Sequence, residues 1–343
     1  MAVTPDLYRL LEVQPRASVD VINAAYRAIM KTRHPDITAS NGAPNSGKTV
    51  VLLNQAHDTL CDPVKRAQYD AERSAKASVG KIIGEYRVLK QIAEGGFGKT
   101  YTGEHILTGM PVCIKHCSEI SPQYEEILIK ETCAMWDLRH YAIPAARGLV
   151  RLDDGSLALV MSYIPGLTLE QVIEKAGKLD PEHVAWITER VLNAFMYIHQ
   201  HGVLHGDVKP QNIIVQADRH MAVLVDFGLA MVKPSAMENS KGYTQYFAPP
   251  EQMKGLTLLP QSDYYSLGMT MIYALTGGME KVARKQIPND LPKPMEDFIR
   301  RLVSRDVMSR PEYGKEDLCD LIKEVRAASF KRKSSKMKPI PGI

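Results

Sequence analysis

The hydrophobic period of this chain changes near residue 80, and that change constrains its fold more than any other feature. Before it, apolar residues recur at helical spacing: Ile22, Ala25 and Ile29, then Leu53, Ala56 and Leu60. From Tyr86 onward, strand-like runs such as Tyr86-Arg87-Val88-Leu89 alternate with glycine turns and longer helical stretches. Two regimes in a chain of 343 residues read as two domains. A hydrophobic fraction of 45% is enough for each to bury a core.

Charge narrows the classes of partner. The formal net charge is +4, and Lys331, Arg332, Lys333, Lys336 and Lys338 alone exceed it. The rest of the chain is therefore near neutral and lacks a basic footprint for nucleic acid. The opening MAVTPDLYRLLEV has no basic segment leading into an apolar one, so no secretory signal is expected. No apolar run has membrane-spanning length. Cys61, Cys113, Cys117, Cys133 and Cys319 form no paired framework, which reads as free thiols in a reducing, cytoplasmic setting.

In the first seventy residues, Thr4-Pro5 reads as a helix start with Leu7, Leu10 and Leu11 inward. Ser18 can cap a second helix, with Asp20 in its first turn and a basic side of Arg27, Lys31 and Arg33. That helix must end before His34-Pro35-Asp36, because proline disfavours helix at the preceding residue. A polar stretch and a third helix complete a hairpin with His-Pro-Asp at its tip. The arrangement resembles the J domain of the DnaJ co-chaperones. The matches are His34-Pro35-Asp36, Leu53-Asn54-Gln55-Ala56 and the run from Asp62 to Asp70, DPVKRAQYD. The resemblance implies that His34, Pro35, Asp36, Arg27 and Lys31 contact a DnaK-type chaperone and stimulate its ATPase. A basic helix face suits an acidic partner surface.

Residues 42–49, GAPNSGKT, match the phosphate-binding pattern GxxxxGK[ST]. That pattern works only between a strand and a helix, where loop amides converge on phosphate. Here the preceding element is helical, so the match is expected to be accidental.

Residues 73–81 are small and polar and read as a linker or frayed helix end. Beyond it, Glu94-Gly95-Gly96-Phe97-Gly98 makes a turn whose amides could lie over phosphates. Val112-Cys113-Ile114-Lys115 is an apolar strand holding a lysine, which must be paired or solvated. Leu128, Glu131, Met135 and Leu138 share one stripe of a helix opened by Ser121-Pro122. A glutamate on that stripe needs a cation, and Lys115 is the natural candidate. His205-Gly206-Asp207-Val208-Lys209-Pro210-Gln211-Asn212 is followed, fourteen residues after Asn212, by Asp226-Phe227-Gly228. Hard oxygen ligands from Asn212 and Asp226 suit Mg²⁺, and Asp207 can accept a proton from an attacking hydroxyl.

This series, over roughly residues 84–327, resembles the eukaryotic-like protein kinases. The resemblance implies that Gly95, Gly96 and Gly98 cover the ATP phosphates and that Lys115, paired with Glu131, holds them. It implies Met161 as gatekeeper, Asp207 as catalytic base and Lys209 on the γ-phosphate, with Asn212 and Asp226 on Mg²⁺. Thr244 and Pro249-Pro250-Glu251 look like the end of an activation segment, Glu251 pairing with Arg310, and Asp263 looks like a buried supporting acid. The wording around Lys209 and Thr244 resembles serine/threonine kinases, and GGFGKTY and APPEQ resemble bacterial members. Three positions depart from the pattern: Ala93 for the first glycine, Thr100 for a valine, and Gly206 for the arginine that reads a phosphorylated loop.

The expected architecture is multidomain: an all-α J-domain helical hairpin (1–72), a linker (73–83), and a bilobal α+β protein kinase fold (84–328, lobes 84–162 and 163–328). A basic disordered tail (329–343) follows. The expected function is ATP- and Mg²⁺-dependent phosphorylation of protein serine or threonine, coupled to a chaperone partner. The rival is a non-catalytic co-chaperone whose second domain binds clients or senses ATP.

Overall fold

The computed structural model describes residues 6–33, 46–95, 98–117, 121–234, 242–331 and 338–340. His34, Pro35 and Asp36, and Gly96 of the glycine-rich turn, lie outside the described residues. The chain divides into two compact units, Met1–Lys81 and Ile82–Ile343.

The first unit is helical. Helix α1 (Leu7–Leu10) is capped by Asp6, whose Oδ1 accepts from the Tyr8 and Arg9 amides at 3.0 and 3.3 Å. Thr4 and Pro5, the expected start, lie outside the described residues; the cap is a carboxylate two residues later, a stronger acceptor than a hydroxyl. Helix α2 (Val19–Arg33) starts at Ser18, whose Oγ accepts from Val21 N at 3.4 Å. Helices α3 (Ser46–Cys61) and α4 (Pro63–Ser78) follow. Leu7, Leu11, Ile22, Ile29, Leu53, Ala56 and Leu60 form the core, joined by Tyr8, which helical spacing alone did not single out. The polar run beginning at Asp62 becomes α4 and clasps α1. The Tyr8 hydroxyl donates to Asp70 Oδ1 at 2.7 Å and accepts from Arg66 Nε at 3.0 Å. Arg66 also donates to the Pro15 and Ala17 carbonyls, and Arg73 pairs with Asp6 at 2.8 Å. Arg27 and Lys31 remain exposed on α2.

Helix α4 runs through Arg73–Ser78, where a linker or frayed helix end was expected. The segment contains no glycine or proline; the first breaker is Gly80, at φ 84°. Small polar composition alone does not end a helix rich in alanine, lysine and arginine.

In the second unit a six-stranded antiparallel sheet has the order β1-β2-β3-β4-β6-β5. Its strands are β1 (Ile82–Ile83), β2 (Tyr86–Gly95), β3 (Gly98–His105), β4 (Pro111–Cys117), β5 (Ala146–Arg151) and β6 (Leu157–Ser162). Helix α5 (Pro122–Met135) packs on β4, β5 and β6, its stripe of Leu128, Glu131 and Met135 buried. Ser121 caps it through the Tyr124 amide.

A largely helical region follows. Strand β7 (Leu167–Thr168) leads into α6 (Leu169–Ala176), and α7 (Pro181–Gln200) is the long central helix. Short strands β8 (Val203–Leu204), β9 (Ile213–Gln216), β10 (Met221–Leu224) and β11 (Met231–Val232) frame two loops. Helices α8 (Pro250–Met253), α9 (Pro260–Thr276), α10 (Met279–Ala283), α11 (Lys293–Leu302) and α12 (Leu318–Phe330) complete it. Helix α9 is buried nearly all round, from Ser262 to Leu275, Asp263 included. Where the tail was expected to be disordered, Ile340 is buried in the main core and the Lys338 carbonyl accepts from His183 Nε2 at 2.6 Å. No helix among the described residues is long and apolar enough to cross a membrane.

Candidate active site

The site begins with the hairpin of β2 and β3, which closes with Gly95 opposite Gly98. Gly98 sits at φ 130°, and a Cβ there would collide with the His116 carbonyl, so glycine is required. Ala93 lies within β2, opposite Thr100, and is not among the positive-φ residues. Its replacement of a glycine therefore brings no backbone strain.

Lys115 projects from β4 into the interior. Its Nζ lies 2.7 Å from Glu131 Oε2 and 2.6 Å from Asp226 Oδ1. Burial alone would push the Lys115 ammonium down; the two carboxylates outweigh it and hold it above its ordinary value. Burial likewise pushes the Glu131 carboxyl up. For Asp226 burial is the largest influence and acts upward, yet Lys115 and its hydrogen bond hold the carboxyl below the usual range. The Glu131 side chain is fully buried, whereas that of Asp226 is 41% exposed. Of the two acids on Lys115, only Asp226 can reach a metal or phosphate. It occupies left-handed backbone at φ 64°, a conformation that costs a non-glycine residue roughly 1–3 kcal/mol.

The loop between β8 and β9 carries the second group. Asp207 Oδ1 accepts from the Thr244 hydroxyl at 2.6 Å, and its Oδ2 lies 2.7 Å from Lys209 Nζ. Lys209 also donates to Thr244 Oγ1 at 2.9 Å. Asn212 Nδ2 donates to the Asp207 carbonyl at 2.9 Å and to Oδ2 at 3.2 Å. The two loops are joined where Val225 N donates to Asn212 O at 2.9 Å, which sets Asn212 beside the strand end that presents Asp226. These oxygens do not form a closed cage; among the described residues no cluster of three metal-binding side chains occurs. Mg²⁺ is commonly held by one or two carboxylates together with substrate phosphates, so this open pair fits it.

Buried acids behind the loops hold them in register. Asp263, on α9, accepts from His205 N and Gly206 N at 2.9 Å each and faces His199 Nε2 at 2.8 Å. Burial raises its carboxyl, but His199 and the amides outweigh that and hold it low. Arg310, 1% exposed, forks onto Glu251 at 2.6 and 3.0 Å and donates to the Gln261 and Ser304 carbonyls. Its guanidinium also lies over the Tyr265 ring.

Thus the fold gathers Lys115, Glu131 and Asp226 at one point, and Asp207, Lys209, Asn212 and Thr244 at another. Met161 is the penultimate residue of β6, opposite Cys113, and is 6% exposed. Cys117 lies in the core and Cys113 packs against it partly buried, burial pushing the Cys113 thiol up to about 12. His199, Ser262 and Gln252 were not picked out by sequence. His199 acts through Asp263 and Gln252 through the Gly206 carbonyl, both far along the chain, while the Ser262 hydroxyl donates to Glu251 at 2.8 Å. Gly42 to Asn45 of the GAPNSGKT string lie outside the described residues; Ser46 opens α3, and the described element before the string is α2, with no strand. A cavity of about 400 Å³ between α7 and α12 contains none of the site residues.

Two known families match this chain. The family described as "Protein kinase domain" matches residues 86–332, and that described as "DnaJ domain" matches residues 6–70. The Lactococcus lactis protein named Probable serine/threonine-protein kinase PknB is 27% identical over 257 residues, 68% of this chain and 41% of its own length. A Clostridium perfringens protein, also named a probable serine/threonine-protein kinase, is 30% identical over 71% of this chain and 39% of its own. Serine/threonine-protein kinase PrkC of Bacillus subtilis is 27% identical over 71% and 41%. The chain therefore spans about two fifths of the length of these curated relatives.

Proposed function

The chain belongs to the protein kinase family and carries a DnaJ domain ahead of its kinase domain, and on that footing we propose that it transfers the γ-phosphoryl group of ATP to serine or threonine of proteins. In the same reading, the J domain recruits a DnaK-type chaperone and stimulates its ATPase. The protein acts in the cytoplasm.

The observation that carries the first part is the setting of Asp207. A base needs an oxygen within hydrogen-bond reach of a hydroxyl, and Asp207 Oδ1 already accepts one, from Thr244, at 2.6 Å. Phosphoryl transfer asks the protein for positioning and charge neutralisation more than for covalent chemistry. Lys115 is fixed by Glu131 and can meet the α- and β-phosphates, while Gly95, Gly96 and Gly98 let backbone lie close over them. Asn212 and Asp226 would hold Mg²⁺, which neutralises phosphate charge when bound. Lys209 stands beside Asp207 to meet the γ-phosphate. Asp207 takes the proton from the substrate hydroxyl. Met161 bounds the nucleotide pocket, and Glu251 with Arg310 anchors the segment that carries Thr244. Arg27 and Lys31 with His34, Pro35 and Asp36 form the chaperone contact.

The test is phosphoamino-acid analysis after incubating the full chain with Mg-ATP and a general protein substrate. Phosphoserine or phosphothreonine is expected. ATP binding without phosphate on any protein, together with stimulation of a chaperone ATPase, would instead favour the non-catalytic co-chaperone.

A further inference from the structure

One buried carboxamide joins the two stretches of chain that meet at Asp207. Gln252, on α8, is 3% exposed. Its Nε2 donates to the Gly206 carbonyl at 2.8 Å and to the Gly242 carbonyl at 2.9 Å. A primary carboxamide has two N–H donors, and two acceptors meet them here. Gly206 immediately precedes Asp207. Gly242 lies two residues before Thr244, whose hydroxyl donates to Asp207.

Gly206 is held at its other end as well, its N–H donating to Asp263 Oδ1 at 2.9 Å. Its φ is 73°, and a Cβ would lie 2.7 Å from the Leu229 carbonyl oxygen. No arginine could stand there without moving backbone, so this site cannot use a charged side chain at position 206 to gather the segment. Gln252 follows Glu251, and the fork of Arg310 on Glu251 fixes α8. The carboxamide is thus mounted on a rigid support and reaches both chain segments.

We propose that Gln252 is the positioning residue that holds the activation segment against the catalytic loop in the unphosphorylated enzyme. The inference rests on the kinase reading above. Removing the carboxamide leaves two inward-facing carbonyls without their donor, a state buried polar groups avoid. Thr244, Lys209 and Asp207 then lose their common reference.

The experiment compares phosphatase-treated full-length wild type with Gln252→Met, which keeps volume and removes both donors. Wild type is expected to keep its activity after phosphatase treatment. Q252M should lower kcat at least tenfold while leaving the KM for ATP within twofold. Amide exchange gives a readout independent of activity. The Phe247 and Ala248 amides donate to the Thr244 carbonyl at 3.3 and 3.1 Å. They should exchange slowly in unphosphorylated wild type and faster in Q252M, with α7 unchanged. An unaltered kcat in Q252M overturns the proposal. So does fast exchange in wild type that slows only when Ser235, Ser240 or Thr244 is phosphorylated. If Q252M does not fold, the wild-type exchange decides. If wild type transfers no phosphate, the kinase reading fails and the exchange data still judge the clamp.

Discussion

Lys115 and Glu131 each place a charge where an unpaired one would be strongly disfavoured, and each answers the other. Lys115→Ala should therefore abolish phosphate transfer and destabilise the domain by about 3–5 kcal/mol, because it strands a fully buried carboxylate. Lys48→Ala should leave ATP affinity and transfer within about twofold, as expected of a substitution outside any supporting network. Calorimetry with nucleotide and a labelled-phosphate assay on both variants separate them. Equal loss of ATP binding in the two would mean a second nucleotide site in the helical unit. The pairing of Lys115 with Glu131 was legible from residue type and apolar setting alone. The third member, Asp226, lies 111 residues beyond Lys115, and no local pattern announces that contact.

At the scale of elements, periodicity located helices well and ended them poorly. The stripes of α2 and α3 were legible because a one-sided core demands them, whereas α4 overran its expected end because nothing in Arg73–Ser78 stops a helix. Helix α9 has no stripe to find, being buried on all sides; its role rests on Asp263 reaching back to His205 and Gly206. The short α8 depends on Arg310. For Glu251 burial acts upward, but Arg310 outweighs it and holds the carboxyl below its ordinary value. The folded state therefore binds fewer protons at Glu251 than the unfolded chain does. Stability from this pair is present above the ordinary carboxylate range and is lost as pH falls through the lowered folded value. Melting temperature should drop as pH falls below about 4, and Arg310→Met should both lower it at neutral pH and weaken that acid dependence. A variant with the wild-type melting temperature and pH profile would remove the fork from the account. In the helical unit, His34→Gln in the full chain should abolish stimulation of a DnaK-type ATPase while the helical circular dichroism signal stays unchanged. Stimulation that survives the substitution would separate the chaperone contact from this tripeptide.

The whole molecule joins two families in one chain, and its two units keep separate cores. That division was legible from the single change of hydrophobic period. The motifs from Gly95 to Arg310 stood out through their resemblance to the eukaryotic-like protein kinases, and the fold sets Lys115 on Glu131 and Asp226, and Asp207 on Lys209, Asn212 and Thr244. What the sequence left open is the internal support, Gln252 and His199 above all, since hydrogen bonding between residues far apart in the chain leaves no periodic mark. The central claim is that Asp207 is the base of a working kinase. The direct measurement is transfer of labelled phosphate from Mg-ATP to serine or threonine by wild type and by Asp207→Asn, with nucleotide affinity checked in both. The account predicts a loss of about 10²-fold or more, the scale of a missing general base, at unchanged ATP affinity. Equal incorporation by the two proteins would contradict it.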